Sequence, residues 1–117
     1  APLEIAQVEM WNRRVEMILM IPLSQVWVHT HAFTAALPGR NQEWGEANRP
    51  RVEAAFRFFD ESLADRDFLA GPDYSVADIL LQTTADFAEF VGCGMPADCE
   101  NLRAWHGRVS ARPSAKA

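Results

Sequence analysis

Basic charge is scarce in this chain. It has one lysine, and its 11 Lys and Arg face 16 Asp and Glu, for a net charge of −5. Nucleic-acid binding rests on a basic face, so this balance argues against it. No apolar run reaches the roughly 18 residues that a membrane-spanning helix needs. The opening "APLEIAQVEM" does not have the basic-then-apolar layout of a signal peptide. Two cysteines, Cys93 and Cys99, are too few for a disulfide framework. Free thiols in a cytoplasmic protein are the expectation. Strand signals are missing too. No segment alternates apolar and polar residues, and there is no Asn-Gly or Asp-Gly hairpin turn.

What remains is helix. The 117 residues are 49% hydrophobic, enough for one domain, residues 1–117, burying roughly two-thirds of its unfolded surface. An all-α bundle of about five helices is predicted. The first starts at Pro2, with an apolar stripe at Val8, Trp11, Val15 and Ile18. Pro22 should kink or end it. Helix then resumes through "LSQVWVHTHAFTAAL" and stops at Pro38-Gly39. A third helix covers about 42–64, where Pro50 bends it or marks a new first turn. A fourth runs from about Val76 to Val91. The last carries Leu102, Trp105 and Val109 and ends before Pro113.

The stretch "GPDYSVADI" raises the question of chemistry. Ser75 could be a nucleophile and Asp78 could orient a base, but no histidine lies nearby in sequence. The spacing instead matches a capping box, in which the serine side chain accepts a helix amide and the acid three residues on reaches back. Tyr74 and Ile79 stand at the positions of a hydrophobic staple. Tyr74, Ser75, Asp78 and Ile79 therefore read as a structural cap. The helix that follows places Asp78, Gln82, Asp86 and Glu89 in one polar stripe, with most of the remaining girth apolar. Such a helix belongs at the centre of a bundle, where its first amides need internal partners.

Other candidates read more plainly. His29 and His31 point about 160° apart on a helix turning roughly 100° per residue, so they do not share a metal easily, and no metal site is expected. His31 should lie near a helix C-terminus, which favours positive charge. Cys93 and Cys99 flank a turn-like loop and are expected as free thiols. Arg13, Arg14, Arg49, Arg51 and Arg57 lie among Glu9, Glu16, Glu46 and Glu53, as on an ordinary solvated surface.

Four segments resemble a known family. "FLAGPDYSVADI" looks like the cap segment of cytosolic glutathione transferases, in the all-helical C-terminal domain. "AQVEMWNRRVE" resembles the opening of that domain, and "EWGEANRPRVEAAFRFFDESLADRDFLAG" its next long helix and exit. "NLRAWHGRVSARPSAKA" resembles the ending of many bacterial members. Together they cover nearly the whole chain.

That resemblance implies a glutathione S-transferase C-terminal domain-like fold. It also implies that a thioredoxin-like N-terminal domain, absent from this chain, supplies glutathione binding and thiol activation. The chain is then a domain fragment, inactive in conjugation by itself. No cofactor is expected in the chain, glutathione being a co-substrate of the parent protein, and no catalytic residue is expected here. The domain's share is the wall of a pocket for a small hydrophobic electrophile. By position, Trp11, Asn12, Arg14, Val15 and Ile18 are the candidates, although a stripe at helical spacing is as readily core. The family also implies a homodimer and a cytoplasmic location. The alternative is a non-catalytic glutathione-transferase-like interaction module.

Overall fold

A computed structural model describes residues 1–113; the last four residues of the family-like ending, "SAKA", lie outside them. The α-helical segments are α1 (Pro2–Arg14), α2 (Ile21–Thr30), α3 (Gln42–Ala47), α4 (Arg49–Ser62), α5 (Val76–Val91) and α6 (Glu100–Ser110). The all-helical bundle is as the sequence implies.

Pro22 does not break the first helix. A π-helical segment, Val15–Met20, joins α1 to α2, so one rod runs from Pro2 to Thr30. At about 1.5 Å per residue it measures roughly 43 Å, close to the molecule's 45 Å long axis. The Ile21 N–H reaches back five residues to the Glu16 carbonyl. A wider turn there relieves the clash that a proline ring makes with the carbonyl four residues earlier.

The rod also ends sooner than its apolar sequence suggests. Thr30 is the last helical residue, His31 is extended at ψ 146°, and Ala32–Thr34 form one 3-10 turn. Side chains beyond the end take its last carbonyls. Thr34 Oγ1 donates to Trp27 O at 2.7 Å and to His31 O at 3.0 Å, and Arg40 donates to His31 O at 2.8 Å. The predicted third helix is two, α3 and α4. They break at Asn48, and Pro50 sits in the first turn of α4, where its missing N–H costs nothing.

The core gathers Leu19, Leu23 and Val26 from the rod, Phe56 and Phe59 from α4, Leu81 from α5, and Leu102 and Trp105 from α6. The rod and α3 approach closely at Gly45. A side chain there would meet Thr30 Cγ2 at 2.5 Å and His29 Cβ at 2.8 Å.

Candidate functional site

Asp78 is the most connected polar group of the bundle, and it is fully buried. Its Oδ2 accepts the Ser75 N–H at 2.9 Å, closing the capping box, while Ser75 Oγ accepts the Ala77 N–H at 3.3 Å. Its Oδ1 accepts the Leu69 N–H at 2.9 Å and the Trp105 Nε1–H at 2.8 Å. One carboxylate thus ties together the α4–α5 loop, the start of α5 and the middle of α6. No histidine touches Ser75 or Asp78 among their hydrogen bonds, so the pair is architectural. Tyr74 packs edge-to-face on Phe68 at 5.8 Å and lies 3.8 Å beneath the Arg112 guanidinium. Ile79, its expected staple partner, is 45% exposed. Sequence reasoning placed Trp105 only in a core stripe and missed its bond to Asp78. The signal available was an indole donor in the last helix, since a buried Trp N–H needs an acceptor.

The polar stripe of α5 is a seam against α6. Beyond Asp78–Trp105, Gln82 Nε2 donates to Ser110 Oγ at 3.5 Å, and Asp86 Oδ1 meets His106 Nε2 at 2.7 Å. Ser110 Oγ also lies 3.5 Å from His106 Nδ1. This succession of Ser, His and Asp lacks the rest of a hydrolytic site. Ser110 ends α6, where the unpaired groups of a helix are carbonyls, which repel a developing oxyanion.

The first-helix candidates scatter. Trp11 and Val15 are in the core, with Trp11 set against Phe58 and Phe59 at 6.1 and 6.3 Å. Their helical spacing marks packing rather than an open wall. Arg14 lies 4.6 Å over the Trp11 ring. Asn12 borders a shallow depression with Ile5, Val8 and Val76, and its Oδ1 is buried without a partner among the described residues. Ile18 lines a groove between the rod and α4.

A different wall is open instead. Between α2 and α5 lies a groove of about 280 Å³ formed by Met20, Leu23, Trp27, Leu80, Thr84 and Phe87. Its hydroxyls are spent on their own helices: Ser24 on Ile21 O, Thr83 on Ile79 O and Thr84 on Leu80 O. At one end, Trp27, His31, Phe33, Phe87 and Phe90 make an aromatic cluster, with Trp27–His31 centroids 4.7 Å apart and Trp27–Phe87 at 5.1 Å. Such a wall suits apolar, aromatic matter, and the imidazole beside it, His31, has its Nδ1 taken by the Phe33 N–H at 3.1 Å.

Burial pushes both the Cys93 and Cys99 thiols up, the opposite of an activated thiolate, and both are free. His29 Nδ1 accepts the Asn41 N–H at 2.8 Å and His31 Nδ1 the Phe33 N–H at 3.1 Å, so each imidazole holds a different stretch of loop. Among the described residues no group of three or more His, Cys, Asp or Glu is arranged to hold a metal, and no helix is long and apolar enough to cross a membrane.

The family described as glutathione S-transferase, C-terminal domain, matches residues 17–113. The chain belongs to this family. Glutathione S-transferase 2 of Saccharomyces cerevisiae is 38% identical over 119 residues, covering 98% of this chain and 50% of that protein. The crystal structure of Gtt2 from Saccharomyces cerevisiae superposes with a TM-score of 0.92 at 35% identity, over 99% of this chain and 57% of that one. That of a glutathione S-transferase domain-containing protein from Marinobacter aquaeolei gives 0.90 at 32%, over 98% and 57%. The chain thus spans about half the length of the glutathione transferases it matches.

Proposed function

We propose that this chain is the electrophile-binding half of a glutathione transferase. The reaction it serves is attack of the glutathione thiolate on a small hydrophobic electrophile. A thioredoxin-like domain preceding it binds and activates the thiol, and the assembled protein is a cytoplasmic homodimer. The observation that carries the reading is the open aromatic groove between α2 and α5, on a chain of this family. The pocket wall then lies further along the rod than the stripe at Trp11, Val15 and Ile18. Met20, Leu23 and Trp27 supply it, facing Leu80 and Phe87 across the groove. Asn12 and Arg14 keep the role of polar neighbours nearer the start of the rod.

The test uses a full-length protein carrying this chain, assayed with glutathione and an aryl halide. Trp27→Ala should lower kcat/KM by about tenfold, the scale for losing an apolar contact in a pocket, chiefly through KM. The separate 117-residue chain should not exceed the buffer rate. Unchanged kinetics in Trp27→Ala would refute the groove assignment. A full-length protein without turnover would favour an interaction module.

A further inference from the structure

We propose that the cavity between the α4–α5 loop and α6 binds a small zwitterion, a ligand of dipeptide size with one carboxylate and one ammonium. It measures about 500 Å³, within the range of small-molecule sites. It shares no lining residue with the α2/α5 groove. Its α6 wall is one helix face, with Asn101, Ala104 and Arg108 at i, i+3 and i+7. Ala104 leaves a hollow between two longer polar side chains. Ala64 and Gly71 keep the loop side equally low.

A loop forms half of this cavity, yet the loop is held at several points. Phe68 and Gly71 exchange both of their backbone hydrogen bonds, each at 3.2 Å. The Leu69 N–H is held by the buried Asp78. Two arginines tie down the loop's carbonyls. Arg66 Nη1 donates to Leu69 O at 3.1 Å, and Arg108 Nη2 to Asp67 O at 2.8 Å. A wall set before the ligand arrives loses little ordering entropy on binding.

Those anchors leave most of each guanidinium unspent. Among the described residues the remaining N–H groups of Arg108 have no acceptor. Arg66 otherwise meets Asp65 at 3.8 Å, beyond hydrogen-bond reach. On the same rim the Asp67 carboxylate accepts no hydrogen bond among the described residues, its backbone carbonyl alone being engaged. Asp65 is 87% exposed. The cavity thus sets unspent donors beside unspent carboxylates. A simple anion is opposed there by the two aspartates, and a simple cation by the two arginines. A zwitterion satisfies both, with its carboxylate on Arg108 and Asn101, its ammonium on Asp67 and its short body over Ala104.

Three dipeptides of one body test this on the chain itself by amide NMR titration. Alanylalanine carries both charges, N-acetyl-alanylalanine lacks the ammonium, and alanylalaninamide lacks the carboxylate. Alanylalanine should bind with a Kd on the order of 1 mM and shift the amides of Asp67, Gly71 and Ala104. It should exceed either singly charged relative by about fivefold, the scale of one exposed ion pair. Arg108→Gln should remove its advantage over alanylalaninamide, and Asp67→Asn its advantage over the acetylated form. Thermal unfolding reports that each variant folds, and Asp67→Asn keeps the backbone carbonyl that Arg108 holds. Ala104→Leu, at an exposed position, should fill the hollow and abolish binding of all three. The proposal is overturned if the acetylated dipeptide binds as tightly as alanylalanine, or if Ala104→Leu leaves binding intact. It is also overturned if no amide around the cavity shifts. Conjugation does not enter this test, so this site and the α2/α5 groove assignment can fail separately.

Discussion

Asp78 and Ser75 are partners in one cap but unequal in energetic weight. Ser75→Ala removes one amide acceptor at a half-exposed helix start, a change worth about 1 kcal/mol. Asp78→Ala strands the Leu69 N–H and the Trp105 indole N–H in the interior as well. Each buried unpaired donor costs about 1–3 kcal/mol, so a loss of about 3 kcal/mol or more is expected. The double variant should lose less than the sum of the two, because both changes break the same box. Urea denaturation of the four proteins checks this; equal costs for the two single variants would show that the indole and loop bonds contribute nothing. The thiols give a prediction in alkali. Burial raises both folded-state values, which favours the neutral form. Their contribution is therefore whole below the unfolded value of about 8.5 and lost as pH rises through the higher folded value. The denaturation midpoint should fall as pH rises above about 8.5, and by less in Cys93→Ala. An identical fall in both would exclude the thiol as the cause.

At the scale of elements, local signals proved readable where they were self-contained. The box at Ser75 and the left-handed Gly92, at φ +97°, bound α5 at the residues expected. Pro50 divides α3 from α4 for the same local reason. The rod's early stop was not legible, because it depends on partners brought from elsewhere, and Pro22 by itself does not say whether a helix kinks, ends or widens into a π turn. Thr34 and Arg40 reach back to α2 from beyond its end. The closeness of α3 to the rod was equally invisible, since Gly45 reads in sequence as a loose helix former. It yields a sharp expectation. Gly45→Ala should destabilise by about 1–3 kcal/mol, the cost of overpacking, although alanine favours helix. Adding Thr30→Ser removes the methyl at 2.5 Å and should recover part of the loss, leaving the His29 contact at 2.8 Å. Thermal unfolding of the three proteins decides; a stabilising Gly45→Ala would mean that α3 sits further from the rod.

Across the whole molecule, α5 leaves apolar residues on its outer side as well as burying them. Asp78, Gln82 and Asp86 meet α6, and Val76, Ile79, Phe87 and Phe90 stand 38–54% exposed. With Leu3 and Ile5 on α1, also exposed, they leave apolar surface open on the separate chain, which invites association. Sedimentation velocity should show concentration-dependent self-association, and Ile79→Glu with Phe87→Glu should abolish it without lowering the melting temperature. A chain that stays monomeric at high concentration would refute this. The sequence by itself determined the helical class, the capped start of α5 and the family. Those follow from hydrophobic period, turn chemistry and short-range hydrogen bonds, all encoded within a few residues. Tertiary structure alone decided which apolar stripes close and which stay open. Trp11 and Val15 share their spacing with pocket residues, but both are buried, and Phe58 and Phe59 arrive from α4 to cover Trp11. Met20 and Trp27 lie open because the residues facing them across α5 leave a gap. Burial is a property of what packs against a face, and a single helix's sequence does not contain it.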